Sequence, residues 1–94
     1  MKTKISSEHK YKHAEHVSWR KVEGEAVILD LNTSVYFSLN EVGVLIWERL
    51  GAGDSVEETH AAVCREYEIQ APEARRHIEA LVGHMLKEKL LIPR

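Results

Sequence analysis

Apolar and polar positions alternate with a period of two through the first half of the chain and then recur at steps of three and four, so strands come first and helices follow. Val17 and Trp19 alternate with Ser18 and Arg20, as in a half-buried strand, and Glu23-Gly24-Glu25 reads as a turn. Val27, Leu29 and Leu31 resume the alternation, Asn32-Thr33-Ser34 interrupts it, and Val35, Phe37 and Leu39 take it up again. The pattern predicts three short antiparallel strands that place these residues on one apolar face.

Asn40 is suited to an N-cap, because its side-chain oxygen can accept from an orphan amide of the first turn. Val42, Leu45, Ile46 and Leu50 then share a stripe, and Gly51-Ala52-Gly53 stops the helix, giving a span of about 40–50. Ser55-Val56-Glu57-Glu58 is a capping box that opens a second helix over about 56–67, with Val56, Val63 and Tyr67 inward. Ala71-Pro72-Glu73 starts a third, since proline in the first turn gives up no hydrogen bond the helix needs. Its apolar face is Ala74, Ile78, Leu81, Val82, Met85 and Leu86, and it runs to about Lys89. Leu90-Leu91-Ile92 forms a short apolar tail expected to pack on the domain. The fold class this order predicts is α+β and winged helix-turn-helix-like, a three-stranded antiparallel sheet followed by three helices.

A chain of 94 residues is one domain, with a core that hides roughly 60–65% of the unfolded surface and leaves no room for a deep enzyme cavity. Residues 1–15 are polar and aperiodic and are expected to be a mobile tail, leaving 16–94 as the folded unit. A net charge of −2 gives no basic field for phosphate backbones, and an aromatic share of 6% does not suit base stacking, so nucleic acid is disfavoured as a partner. No apolar run approaches the ~20 residues that span a bilayer, and the N-terminus lacks the apolar stretch of a signal peptide; the expected location is cytoplasmic, with no membrane partner.

The residues that invite a chemical reading are few. His9, His13 and His16 have helical spacing, and His77 and His84 lie two turns apart, but zinc wants three or four convergent ligands and the trio sits where a helix is not supported, so no metal and no cofactor are expected. Cys64, the single cysteine, has His60 one turn away, yet it lies in Ala61-Ala62-Val63-Cys64 on what reads as a packed helix face, where a structural thiol fits better than a nucleophile. The strand at 35–39 is the more informative feature. As the last strand it has one open edge, and an open edge holds an extended peptide by main-chain hydrogen bonds. The candidate peptide-binding residues are therefore Ser34, Val35, Tyr36, Phe37 and Ser38 on that strand and its turn. On the third helix Ile78, Val82 and Leu86 form a stripe that would wall a groove, and Arg75, Arg76 and Glu79 would meet charges on the guest. The same free edges allow an edge-paired dimer.

The segment from Val27 through Leu31-Asn32-Thr33-Ser34-Val35-Tyr36-Phe37-Ser38-Leu39-Asn40-Glu41-Val42-Gly43 to Ile46-Trp47, with Val56-Glu57-Glu58 and the stretch from Leu81 to Leu91, resembles the coenzyme PQQ synthesis protein D family. That family is the prototype of the recognition elements used in making ribosomally synthesised, post-translationally modified peptides. The resemblance implies a non-catalytic domain that takes the leader of a precursor peptide as an added strand, its side chains in a groove beside the third helix. It further implies a processing enzyme as partner, such as the leader-cutting cysteine protease of lasso peptide pathways, where free-standing proteins of this kind occur. A peptide chaperone in a PQQ or radical-SAM pathway is an alternative within the same fold. The chain departs from the family at Ser34, where glycine is more usual. A different class, a winged-helix DNA-binding regulator, needs a basic recognition helix, and the second helix carries Glu57, Glu58, Glu66 and Glu68 against Arg65.

Overall fold

Two tight turns fold three successive strands onto one another, and this hairpin pair organises the rest of the chain. The computed structural model describes residues 8–94. The elements are β1 (Tyr11–His13), β2 (Val17–Val22), β3 (Glu25–Asp30), β4 (Tyr36–Leu39), α1 (Glu41–Gly51), α2 (Val56–Tyr67), α3 (Ala71–Lys87) and β5 (Leu91–Pro93). Glu23 and Gly24, both at positive φ (51° and 85°), make the two-residue connection between β2 and β3, the conformation that matches the twist of a hairpin. The sheet order is β2-β3-β4, all antiparallel. This is the α+β arrangement expected from the sequence, with the three helices following the sheet.

The caps read from the sequence form. The Asn40 side chain accepts from the Gly43 amide at 2.9 Å. Ser55 Oγ accepts from Glu58 N at 3.1 Å while Glu58 Oε1 accepts from Ser55 N at 2.8 Å, a closed capping box. Pro72 lies in the first turn of α3.

The middle strand turns its other face inward. Ala26, Ile28 and Asp30 are buried, and Val27 and Leu29 lie on the outer face, opposite to the expectation from the Val27-Leu29-Leu31 alternation. β3 is apolar on both faces, so its own pattern does not choose between them. The register does: Trp19 pairs with Ile28 and Ile28 with Phe37, and cross-strand partners share a face. This inner row packs against a core that contains Trp47 and Leu50 of α1, Val63 of α2 and Ile78, Val82 and Met85 of α3.

The N-terminal segment also departs from its expectation. Residues 1–7 of the expected tail lie outside the described residues, but Tyr11–His13 form β1 and pair antiparallel with β5 at the other end of the chain. The reason is burial: Tyr11 is 3% exposed and Ala14 6%. Main-chain bonds fasten both ends, from Ala14 N to Leu90 O, Arg94 N to Lys10 O and Val56 N to His9 O, each at 3.0 Å. The apolar tail thus packs on the domain as expected, with Leu90 and Leu91 buried.

His13 is the rivet of this second, two-stranded sheet. Its ring stacks on Trp47 with centroids 3.7 Å apart and planes 10° apart, and meets Trp19 edge-on at 5.9 Å. Its Nε2 donates to the Trp47 carbonyl at 2.9 Å. A Cβ at Gly51 would run into this ring, so the end of α1 must be glycine for the strand to approach. Burial pushes the His13 imidazole down, the Trp47 carbonyl acts in the opposite direction, and the nearby Arg94 charge adds to the lowering.

Replacing His13 with alanine should cost about 2 kcal/mol, the sum of one aromatic contact and one net hydrogen bond, read from urea unfolding. Because the folded-state value lies below that of a free imidazole, the unfolded chain takes up the proton first as pH falls below about 6.5. Stability should therefore decline over that window in the native chain, and His13→Ala should remove this contribution to the slope.

Candidate functional site

Asp30 sets the geometry of the open edge. Its carboxylate accepts from the amides of Asn32 at 2.9 Å and Thr33 at 3.2 Å, its carbonyl accepts from Ser34 N at 2.7 Å, and its own amide donates to the Val35 carbonyl at 2.9 Å. Burial alone would raise the Asp30 carboxyl; the Asn32 and Thr33 amides, the His16 ring and the Thr33 hydroxyl outweigh it and hold the group below the ordinary carboxylate value. The turn places Ser34 at φ 63°, in the left-handed region that favours glycine. Ser34 thus adopts the conformation that glycine takes most readily.

The bond from Asp30 to Val35 also fixes the parity of β4. In an antiparallel ladder, hydrogen-bonded and non-bonded pairs alternate. Asp30 with Val35 is a bonded pair, so Ile28 with Phe37 and Ala26 with Leu39 are bonded too, while Leu29 with Tyr36 and Val27 with Ser38 are not. The bond from Leu31 N to His16 O at 2.8 Å agrees, since it assigns the alternate residues of β3 to β2. The N–H and C=O groups of Tyr36 and Ser38 consequently point away from β3, and among the described residues no strand pairs with β4 on that side. Tyr36 is 67% exposed.

Beside this edge, α1 and α3 enclose an open cleft of about 540 Å³. Val42, Gly43 and Ile46 of α1 and Ala80 and Leu81 of α3 give it an apolar lining, and Glu73, Arg76, His77 and His84 supply its polar groups. His84 joins the cleft to the strand, its ring meeting Phe37 edge to face at 5.9 Å. A peptide strand paired with Tyr36 and Ser38 would send every second side chain to the Phe37 side of the sheet, toward this cleft.

The structure divides the α3 residues singled out in the sequence into three sets. Ile78 and Val82 are fully buried in the core and do not wall a groove. Arg75 and Glu79 pair with each other at 3.1 Å, and at 100° per residue they fall, with Leu86, on the flank opposite the cleft. Leu86 lines a second cleft, together with Tyr11, Pro93 and Arg94. Only Arg76 borders the cleft by β4. Of the cleft residues not singled out as a site, Gly43 and Ile46 are buried on α1, Val42 and Leu81 sit at the margins of the apolar faces, and Glu73, His77, Ala80 and His84 are exposed on α3. Their signal was the pair His77 and His84, two turns apart on one side of a helix.

The remaining chemical candidates are spread through the fold. His9 touches Tyr11 Oη at 3.3 Å, His13 stacks on Trp47, and His16 lies 3.8 Å from Asp30; among the described residues, no three metal-ligating side chains converge. His60 Nε2 faces Cys64 Sγ at 3.9 Å but is 2.8 Å from the Ala71 carbonyl, which can only accept, so that nitrogen carries its proton and cannot take one from the thiol.

This combination of an open strand edge, a cleft against the third helix and a sheet-then-helices order is that of a known class. Residues 25–91 match the model of the family described as Coenzyme PQQ synthesis protein D (PqqD), and the chain belongs to that family. Two solved structures are similar to it. TbiB1 in complex with the TbiA(beta) leader peptide is 32% identical, with a TM-score of 0.79 over 85% of this chain and 93% of that one. A lasso peptide synthetase B1 complexed with the leader peptide is 27% identical, with a TM-score of 0.80 over 89% of this chain and 99% of that one. No curated protein matches at the sequence level.

Two measurements follow from the turn. Ser34→Gly should raise stability by about 0.5 kcal/mol, the relief of left-handed strain less the added freedom of glycine in the unfolded chain, as read from chemical denaturation. The Asp30 contribution should be complete above about pH 4 and disappear below it, and Asp30→Asn should lose that acid dependence.

Proposed function

We propose that the chain is a non-catalytic recognition element that binds the leader segment of a precursor peptide as an added strand on β4 and delivers it to a processing enzyme in lasso peptide biosynthesis. The observation that carries this reading is the unpaired ladder of Tyr36 and Ser38 beside an apolar cleft. Main-chain pairing along β4 supplies affinity without regard to sequence, and the cleft supplies selectivity through alternate side chains. Membership of the family and likeness to two proteins solved with leader peptides support it.

Each part of the site has a separate task in this reading. Ser34 and Val35 end the turn that presents the strand, Tyr36 and Ser38 offer their main chain, and Phe37 carries the inner wall toward His84. Arg76 and Leu81 line the far side. Catalysis belongs to the partner, an enzyme such as a leader-cutting cysteine protease. Cys64 and His60 take no part, which agrees with the engaged imidazole nitrogen. Among the described residues no helix is long and apolar enough to cross a membrane.

Proline at two neighbouring positions tests the strand addition. Tyr36→Pro removes an outward amide and no bond to β3, so it should weaken a cognate leader peptide at least about tenfold, measured by titration calorimetry, while the chain still melts cooperatively. Phe37→Pro removes a bond to β3 and should lower the melting temperature sharply. Unaltered peptide binding by a folded Tyr36→Pro variant would sink the reading.

A further inference from the structure

We infer that the cleft selects a peptide with a carboxylate side chain close to its apolar anchor, and that Arg76 is the residue that reads it. The inference rests on the strand-addition reading above and adds to it a sequence preference. On a helix the neighbours able to neutralise Arg76 are three and four residues away: Pro72, Glu73, Glu79 and Ala80. Of the two carboxylates among them, Glu79 is paired with Arg75 at 3.1 Å and Glu73 lies toward the His77 ring, 3.8 Å away. Arg76 is exposed, lines the cleft, and has no ion-pair or hydrogen-bond partner among the described residues.

Most of the remaining lining is apolar. Among the residues lining the cleft Glu73 is the one carboxylate and Arg76 the one guanidinium, and the imidazoles of His77 and His84 add ring N–H groups that can donate to a carboxylate. The apolar lining from Val42, Ile46 and Leu81 would exclude water from a seated side chain, so a carboxylate at its rim would meet a cation in a medium less screening than bulk water. Guanidinium also matches a carboxylate bidentately, which gives direction as well as attraction. A peptide with lysine or arginine at that point would meet a like charge and be rejected.

Selection from a displayed library of short linear peptides on the immobilised chain tests the inference. The native chain should enrich sequences with Asp or Glu within about two residues of an aliphatic or aromatic position, and Arg76→Glu should shift the enrichment to Lys or Arg. A synthetic peptide of the enriched type should bind about fivefold more weakly to Arg76→Glu than to the native chain, with the loss shrinking as salt is raised. Arg65→Glu, on the exposed face of α2 and away from the cleft, should leave the selection unchanged. Enriched peptides with no acidic residue, or an acidic preference that persists in Arg76→Glu, would overturn the inference while leaving strand addition standing. A selection that enriches no peptide would remove the functional reading itself.

Discussion

Four hydrogen bonds centred on Asp30, two to its carboxylate, one to its carbonyl and one from its amide, hold the turn from Leu31 to Val35. The register of β3 against β4 follows from that turn, and with it two consequences that share one cause. Ile28 and Phe37 face the helices, closing the core, and the main-chain groups of Tyr36 and Ser38 face outward. A slip of one residue would turn Phe37 away from His84 and exchange the outward amides for inward ones. Core and binding edge are therefore set by the same few atoms.

Much of this was legible in the sequence. The capping box at Ser55 and Glu58 and the N-cap at Asn40 are local, and local signals survive folding unchanged. The open strand was also legible, because the 35–39 segment is the last strand before a run of helices. What was not legible depends on partners distant in sequence. β3 reads as apolar on either face, and its inward face was settled by Trp19 and Phe37 across the ladder. β1 reads as tail because only three residues pair, and its partner, β5, lies at the far end of the chain. On α3 the periodicity located the core stripe, but its centre, Ala74, Ile78, Val82 and Met85, is wholly buried and cannot also wall a groove, so the cleft uses the flank that carries Arg76, His77, Ala80, Leu81 and His84.

The two ends of the chain serve the site indirectly. β1 and β5 close over the C-terminal end of α1, where His13 packs between Trp19 and Trp47. The indole N–H of Trp47 is buried without a hydrogen-bond partner among the described residues, a cost of about 1–3 kcal/mol that the surrounding ring contacts must offset. The helix held in this way is the one that lends Val42, Gly43 and Ile46 to the cleft. Ile46 and Trp47 are neighbours in the chain, so residues that hold the core and residues that line the cleft adjoin on one helix.

Amide hydrogen exchange, resolved residue by residue with and without a bound leader peptide, tests the central claim most directly. Strand addition on β4 predicts an alternating pattern: the amides of Tyr36 and Ser38 gain protection on binding, while those of Phe37 and Leu39, already bonded to β3, change little. Protection that appears along β2 or over the second cleft, with Tyr36 and Ser38 still exchanging as in the free chain, would contradict the account.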